Sequence, residues 1–106
     1  PQHVYPRFST RSVAATLELG WMVREDALKF EPACRSLAMV TVGGDIAVDN
    51  GLCSEVVGAW RRHGVAGVET YEFPAELRLN HDVVDPEQVG GNPSITYPVL
   101  TRFIGP

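Results

Sequence analysis

The chain has 106 residues, of which 44 % are hydrophobic and 21 % are charged, so it is long enough for one small globular domain and too short for two. Nine Lys and Arg against thirteen Asp and Glu give a net charge of -4, which disfavours a nucleic-acid-binding surface. No apolar run approaches the ~20 residues of a membrane span. Cys34 and Cys53 lack zinc-ligand spacing, so we expect structural thiols and no metal or cofactor, with a disulfide between them left open.

The first predicted element is a long helix. Residues 1–8 contain two prolines and no periodicity, which predicts an extended lead-in. Ser9 or Thr10 then caps a helix over residues 10–29, and Gly20 is expected to interrupt it. Four apolar residues recur at helical spacing and form one face of the helix, of which Trp21 is expected in the core: Val13, Ala14, Leu17 and Trp21.

Residues 37–43 form a predicted strand that is followed by an acid. The strand is apolar or β-branched from Leu37 to Val42, which is typical of a central parallel strand covered by helices on both faces. Two glycines then predict a tight turn, and Asp45 comes next. In open α/β sheets, the groups that do chemistry lie just beyond the carboxyl ends of strands, so Asp45 is a candidate functional residue.

The remaining elements predict a βαβ unit and a last helix. An apolar stripe predicts a helix over residues 52–63, which Gly64 ends. The β-forming residues 68–73 predict a second strand, parallel to the first. Residues 94–104, with Tyr97 expected in the core, predict the final helix. The fold class is therefore α/β, and residues 1–106 form one segment without a linker.

His81 follows the second strand as Asp45 follows the first. Adjacent parallel strands lie ~4.8 Å apart, so loops at their carboxyl ends can bring a carboxylate to an imidazole. Such an acid orients the histidine, which then acts as general base towards a nucleophile. The residues alone leave other roles open, because Asp45 also fits a turn acid that caps the next helix, and His81 fits a loop histidine bonded to Asp82. Ligation of a metal by Asp82, Asp85 and His81 matches no established cage, so we expect the two aspartates to form hydrogen bonds that order the loop.

Five segments carry a resemblance to a known group of proteins. They are YPRFSTRSVA (5–14), DIAVDN (45–50), YEFP (71–74), LNHDVVDPEQ (79–88) and ITYPVL (95–100). With them, the chain resembles the carboxyl-terminal part of the α/β-hydrolase fold, and most of all bacterial hydrolases of the esterase type. In that family the triad acid follows the penultimate strand and the histidine follows the last one.

The resemblance implies catalytic roles for two residues. Asp45 is then the triad acid and His81 the triad base. Asp49 is the rival acid, although its place just before the helix over residues 52–63 favours a capping role. The implied substrate is a small-molecule acyl ester, cleaved in the manner of a carboxylesterase or lipase.

The chain departs from the family in lacking a nucleophile elbow. The G-x-S-x-G motif is absent, and none of the five serines has its context: Ser9, Ser12, Ser36, Ser54 and Ser94. We therefore expect a C-terminal segment of a larger hydrolase, inactive alone, whose open strand edge pairs with the missing amino-terminal half or with a second copy. The alternative is a non-catalytic, self-associating α/β module.

Overall fold

The computed structural model describes residues 9–34, 36–65 and 67–105. Over these residues the chain is mixed α/β, with three α-helices and a two-stranded parallel sheet. The elements in order are α1 (Thr10–Lys29), β1 (Leu37–Val42), α2 (Asn50–Arg62), β2 (Val68–Phe73), a 3-10 turn (Ala75–Leu77) and α3 (Pro93–Ile104). The predicted lead-in, residues 1–8, lies outside the described residues.

Strands β1 and β2 are hydrogen-bonded neighbours that run parallel, and α2 connects them. Backbone hydrogen bonds join Leu37 N to Gly67 O (3.4 Å) and Gly43 N to Phe73 O (2.8 Å). The pairing thus keeps one offset of thirty residues, from 37 to 67 and from 43 to 73. The predicted βαβ unit is confirmed.

Strand β1 is less buried than its apolar sequence predicts. Val42 is buried and Ala38 is exposed, while the other four residues are half-buried. The faces of a strand are covered by the elements that pack on the sheet, and in the described residues these leave four of the six β1 residues only half-buried. The prediction that β1 is buried on both faces is therefore wrong for this structure.

The ends of two helices follow from local chemistry that the sequence predicted. Ser9 is the N-cap of α1, and its Oγ accepts a hydrogen bond from Ser12 N at 3.0 Å. Gly64 follows α2 with a φ of 90°, a left-handed conformation that favours glycine. Gly64 N donates to Arg61 O and Val65 N to Trp60 O, which is the Schellman arrangement of a helix end.

The described residues fall into two compact units. Unit 1 contains residues 38–50 and 70–105, and unit 2 contains residues 9–34, 36–37, 51–65 and 67–69. In unit 1, the Phe73 side chain is completely buried and meets the Tyr71 ring edge-on, with centroids 5.0 Å apart. Tyr97 was expected in the core, but it is 42 % exposed and its hydroxyl donates to Val84 O at 2.7 Å.

Unit 2 has a core of small apolar side chains with an ion pair beside it. The buried residues are Ala27, Val56, Val57, Ala59, Val65 and Val68. Arg24 Nη2 donates to Glu55 Oε1 at 2.6 Å, and this hydrogen bond is the main cause of the raised pKa of Arg24. The same guanidinium lies 5.5 Å from the centre of the Trp21 ring, within cation–π range.

Helix α1 departs from its prediction in two ways. It continues through Gly20 without interruption, because good helix formers surround that residue and a single glycine costs only ~1 kcal/mol. Its apolar face is also open, since Leu17 is 70 % exposed and Trp21, which we expected in the core, is 59 % exposed. Ala27 is the one buried residue of this helix, all of which the structure describes.

Candidate acid–base site

The turn after β1 explains both glycines of the Gly-Gly-Asp sequence. Asp45 N donates to Val42 O at 3.2 Å, which closes a four-residue turn. Gly44 occupies its third position with a φ of 74°, where glycine is favoured. A Cβ on Gly43 would lie 2.8 Å from Phe73 O, too close for any side chain. The two glycines therefore permit a tight turn against the end of β2 that presents Asp45.

One oxygen of the Asp45 carboxylate is held by the backbone. Its Oδ1 accepts hydrogen bonds from Ala47 N at 2.8 Å and from Val48 N at 3.1 Å. Asp45 thus caps its own turn through these two bonds, and they do not reach the next helix, which begins at Asn50. No described residue donates a hydrogen bond to the Asp45 Oδ2 atom. The turn thus fixes the carboxylate and leaves one of its oxygens without a donor.

Asn50 closes the same loop and was not singled out from the sequence. Its Nδ2 donates to Val42 O at 2.8 Å and lies 3.5 Å from Glu72 Oε1. The sequence placed the start of the helix at residue 52 and so left Asn50 in the loop. Asp49, the rival acid, is exposed and directly precedes α2.

His81 lies in a loop that is ordered by side-chain caps. Asn80 Oδ1 accepts from Asp82 N at 3.0 Å, and Asp82 Oδ1 accepts from Val84 N and Asp85 N at 3.1 Å each. Asp82 therefore has the loop-ordering role that we favoured over metal binding. Asp85 Oδ1 continues the pattern by accepting from Glu87 N at 2.9 Å.

The contacts of Asp82 stabilise its charged form. Hydrogen bonds from the Asp85 and Val84 backbone are the main cause, and with a smaller contribution from the charge of His81 they lower the pKa of Asp82 below its usual value. This carboxylate is thus ionised at neutral pH and fixed in the loop, directly after the candidate base.

The structure places the two predicted catalytic residues in one unit without bonding them to each other. Asp45 follows β1 and His81 follows β2, both in unit 1. His81 is exposed, and among the described residues its ring forms no hydrogen bond and no ion pair. Its imidazole is therefore accessible, and Asp82 is bonded to the backbone rather than to it.

No described serine is arranged as a nucleophile for His81. Ser9 and Ser12 share a hydrogen bond of 2.8 Å at the start of α1, and Ser94 donates to Asn92 Oδ1 at 2.6 Å. Across the described parts of the chain, no hydroxyl of a serine bonds to the His81 ring. An activated serine is thus not formed within these residues.

The two cysteines are not joined by a disulfide bond, and Cys34 is exposed while Cys53 is half-buried. The described ranges bring together no three His, Cys, Asp or Glu side chains that could hold a metal ion. They also contain no helix whose length and apolar character would let it cross a membrane.

Unit 2 has a shallow groove at the end of α1. It encloses about 320 Å³. Its lining residues are Val23, Asp26, Ala27, Phe30, Glu31, Pro32 and Trp60. Neither of the predicted catalytic residues lines it.

Comparisons of the chain with known protein families, with curated proteins and with solved structures found no match.

Proposed function

We propose that this chain supplies the acid and the base of a serine hydrolase that cleaves small-molecule acyl esters. Asp45 is the acid and His81 is the base. The nucleophilic serine and the oxyanion hole come from outside these 106 residues. The chain alone is then inactive towards esters.

One observation carries the proposal. The turn after β1 fixes Asp45 through Oδ1 alone, while the exposed His81 ring follows β2 in the same unit. A triad acid needs its two oxygens in different roles, because one oxygen holds the carboxylate in place and the other accepts a hydrogen bond from the imidazole. The five segments that resemble esterase-type hydrolases give the same assignment.

The chemistry follows from these two side chains. Asp45 Oδ2 accepts the Nδ1–H of His81, which fixes the tautomer and stabilises the imidazolium. His81 Nε2 then removes the proton of the incoming serine hydroxyl as the serine attacks the ester carbonyl. The protonated ring later gives that proton to the departing alkoxide. Since the ring is exposed, a serine from another segment can reach it.

The assignment is tested by measuring ester turnover in one polypeptide that joins this chain to an amino-terminal half with a G-x-S-x-G nucleophile elbow. We call this protein the elbow-bearing polypeptide. Asp45→Asn and His81→Ala should each reduce kcat for a short-chain ester by about a thousandfold or more, because the serine loses its base. Asp49→Asn is the matched control and should retain activity. Circular dichroism must show that all variants are folded. Full activity of either the Asp45 or the His81 variant contradicts the proposal.

A second candidate, a self-associating module without chemistry, is favoured by the bare face of α1. Leu17, Trp21 and Phe30 are all more than half exposed, and apolar patches of this kind often mark interfaces. This candidate predicts a dimer or larger oligomer by light scattering that Leu17→Glu dissociates. A monodisperse wild-type monomer would exclude it.

A further inference from the structure

We propose that Asn50 is the positioning residue of the candidate acid, because its side-chain amide closes the loop that presents Asp45. The inference rests on the proposed function only for its catalytic consequence. Its structural part concerns residues 42–50 and is testable in this chain alone.

The Val42 carbonyl oxygen joins the two ends of the loop over residues 42–50. It accepts a hydrogen bond from Asp45 N at 3.2 Å and a second from Asn50 Nδ2 at 2.8 Å. A carbonyl oxygen has two lone pairs and can accept both. Residues 42–50 therefore form a closed ring in which the Asn50 amide ties the start of α2 to the end of β1.

The orientation of the Asn50 amide follows from its neighbours. The two groups within reach of Nδ2 are Val42 O and Glu72 Oε1, and neither can donate a hydrogen bond. The nitrogen must therefore face them and the oxygen must point away. Oδ1 is buried and has no hydrogen-bond partner, so no other described contact holds this side chain through its oxygen.

The ring controls how firmly Asp45 is held. Its carboxylate is anchored by Ala47 N and Val48 N, which belong to the loop itself. If residues 46–49 move, both donors move with them. The bond from Asn50 to Val42 limits that movement, so it keeps the Asp45 carboxylate in one position. Small displacements of catalytic groups reduce rates strongly, which gives the anchor a catalytic consequence.

Asn50→Asp is the test variant. It keeps the shape of the side chain and removes both N–H donors, but it also turns a carboxylate oxygen towards Val42 O and Glu72 Oε1. Asn50→Ala is therefore made beside it, because it removes the donors without adding a charge. We expect the amides of Asp45, Ala47 and Val48 to exchange with water about five- to tenfold faster by NMR. Amides in the middle of α2 should not change. Both variants are judged by the same criteria, and Asn50→Ala alone decides if Asn50→Asp fails to fold.

Asn92→Asp is the matched control, because Asn92 also stands at the start of a helix, α3, in the same unit, and its side-chain oxygen accepts a hydrogen bond from Ser94 Oγ. Unchanged exchange at Ala47 and Val48 in both Asn50 variants overturns the inference, as does an equal increase throughout α2.

The catalytic consequence has its own readout. In the elbow-bearing polypeptide, Asn50→Asp should lower kcat about tenfold and leave KM unchanged. A change in KM alone contradicts a positioning role. If Asp45→Asn proves fully active while the loop still loosens in Asn50→Asp, the proposed function fails and the structural part of this inference stands.

Discussion

Unit 1 and unit 2 differ in how their side chains are held. In unit 1, side chains in the turn that holds Asp45 and in the loop that holds His81 accept hydrogen bonds from backbone N–H groups two or three residues away. In unit 2, α1 leaves apolar side chains such as Leu17 and Trp21 open. The difference teaches that hydrogen bonds between near neighbours in the chain hold Asp45 in its turn, whereas the apolar face of the long helix stays open where no described residue packs on it.

The largest expected difference between the units is in the stability lost when a buried ring of unit 1 or an exposed side chain of unit 2 is replaced by alanine. Phe73 is completely buried in unit 1, and Leu17 in unit 2 is 70 % exposed. We expect Phe73→Ala to lower the free energy of unfolding by about 3–5 kcal/mol, because it leaves a cavity. Leu17→Ala should change it by less than about 0.5 kcal/mol. Urea denaturation measures both, and equal losses would contradict the comparison.

Two glycine substitutions, one in each unit, sharpen the contrast because they should change the free energy of unfolding in opposite directions. A Cβ at Gly43 meets Phe73 O at 2.8 Å and Ala75 N at 2.9 Å, whereas one at Gly20 meets no atom within 4 Å. Gly43→Ala should destabilise the chain by about 1–3 kcal/mol through backbone clash. Gly20→Ala should stabilise it by up to about 1 kcal/mol, because alanine favours the helix. Thermal unfolding gives the two signs, and stabilisation by Gly43→Ala would refute the turn geometry.

The smallest expected effect is the pH dependence of the loop in unit 1. The pKa of Asp82 is lowered from 3.8, so its folded value lies below its unfolded value. The stabilisation is therefore complete well above pH 3.8 and is lost as the pH falls through the folded pKa. Carboxyl-carbon NMR should give a folded pKa below 3.8 for Asp82. In Asp82→Asn, stability should depend less on pH in this window, and an unchanged dependence would contradict this role.

The regular elements could be predicted because their causes are local. Helical spacing, the Ser9 cap and the Gly64 end specify where helices begin and end, and β-forming residues specify the strand at residues 68–73. Burial could not be predicted in the same way. The exposed fraction of Trp21 depends on what packs against α1, and periodicity shows an apolar face without showing what covers it.

The candidate site was predictable in its positions but not in its contacts. Asp45 and His81 were selected because they follow the two strands. No pattern in the sequence predicts the bond from Asn50 to Val42, since it joins a side chain at a helix start to a carbonyl eight residues earlier. Contacts of this kind depend on the path of a loop, which composition and spacing do not determine.

The most direct test of the central claim, that the chain provides acid and base but no nucleophile, is intact-mass analysis after treatment with a fluorophosphonate probe. We predict no adduct on the 106-residue chain. In the elbow-bearing polypeptide we predict one adduct, whose formation His81→Ala slows by about a thousandfold. An adduct on the chain alone, or labelling of the His81→Ala protein at the original rate, would contradict the account.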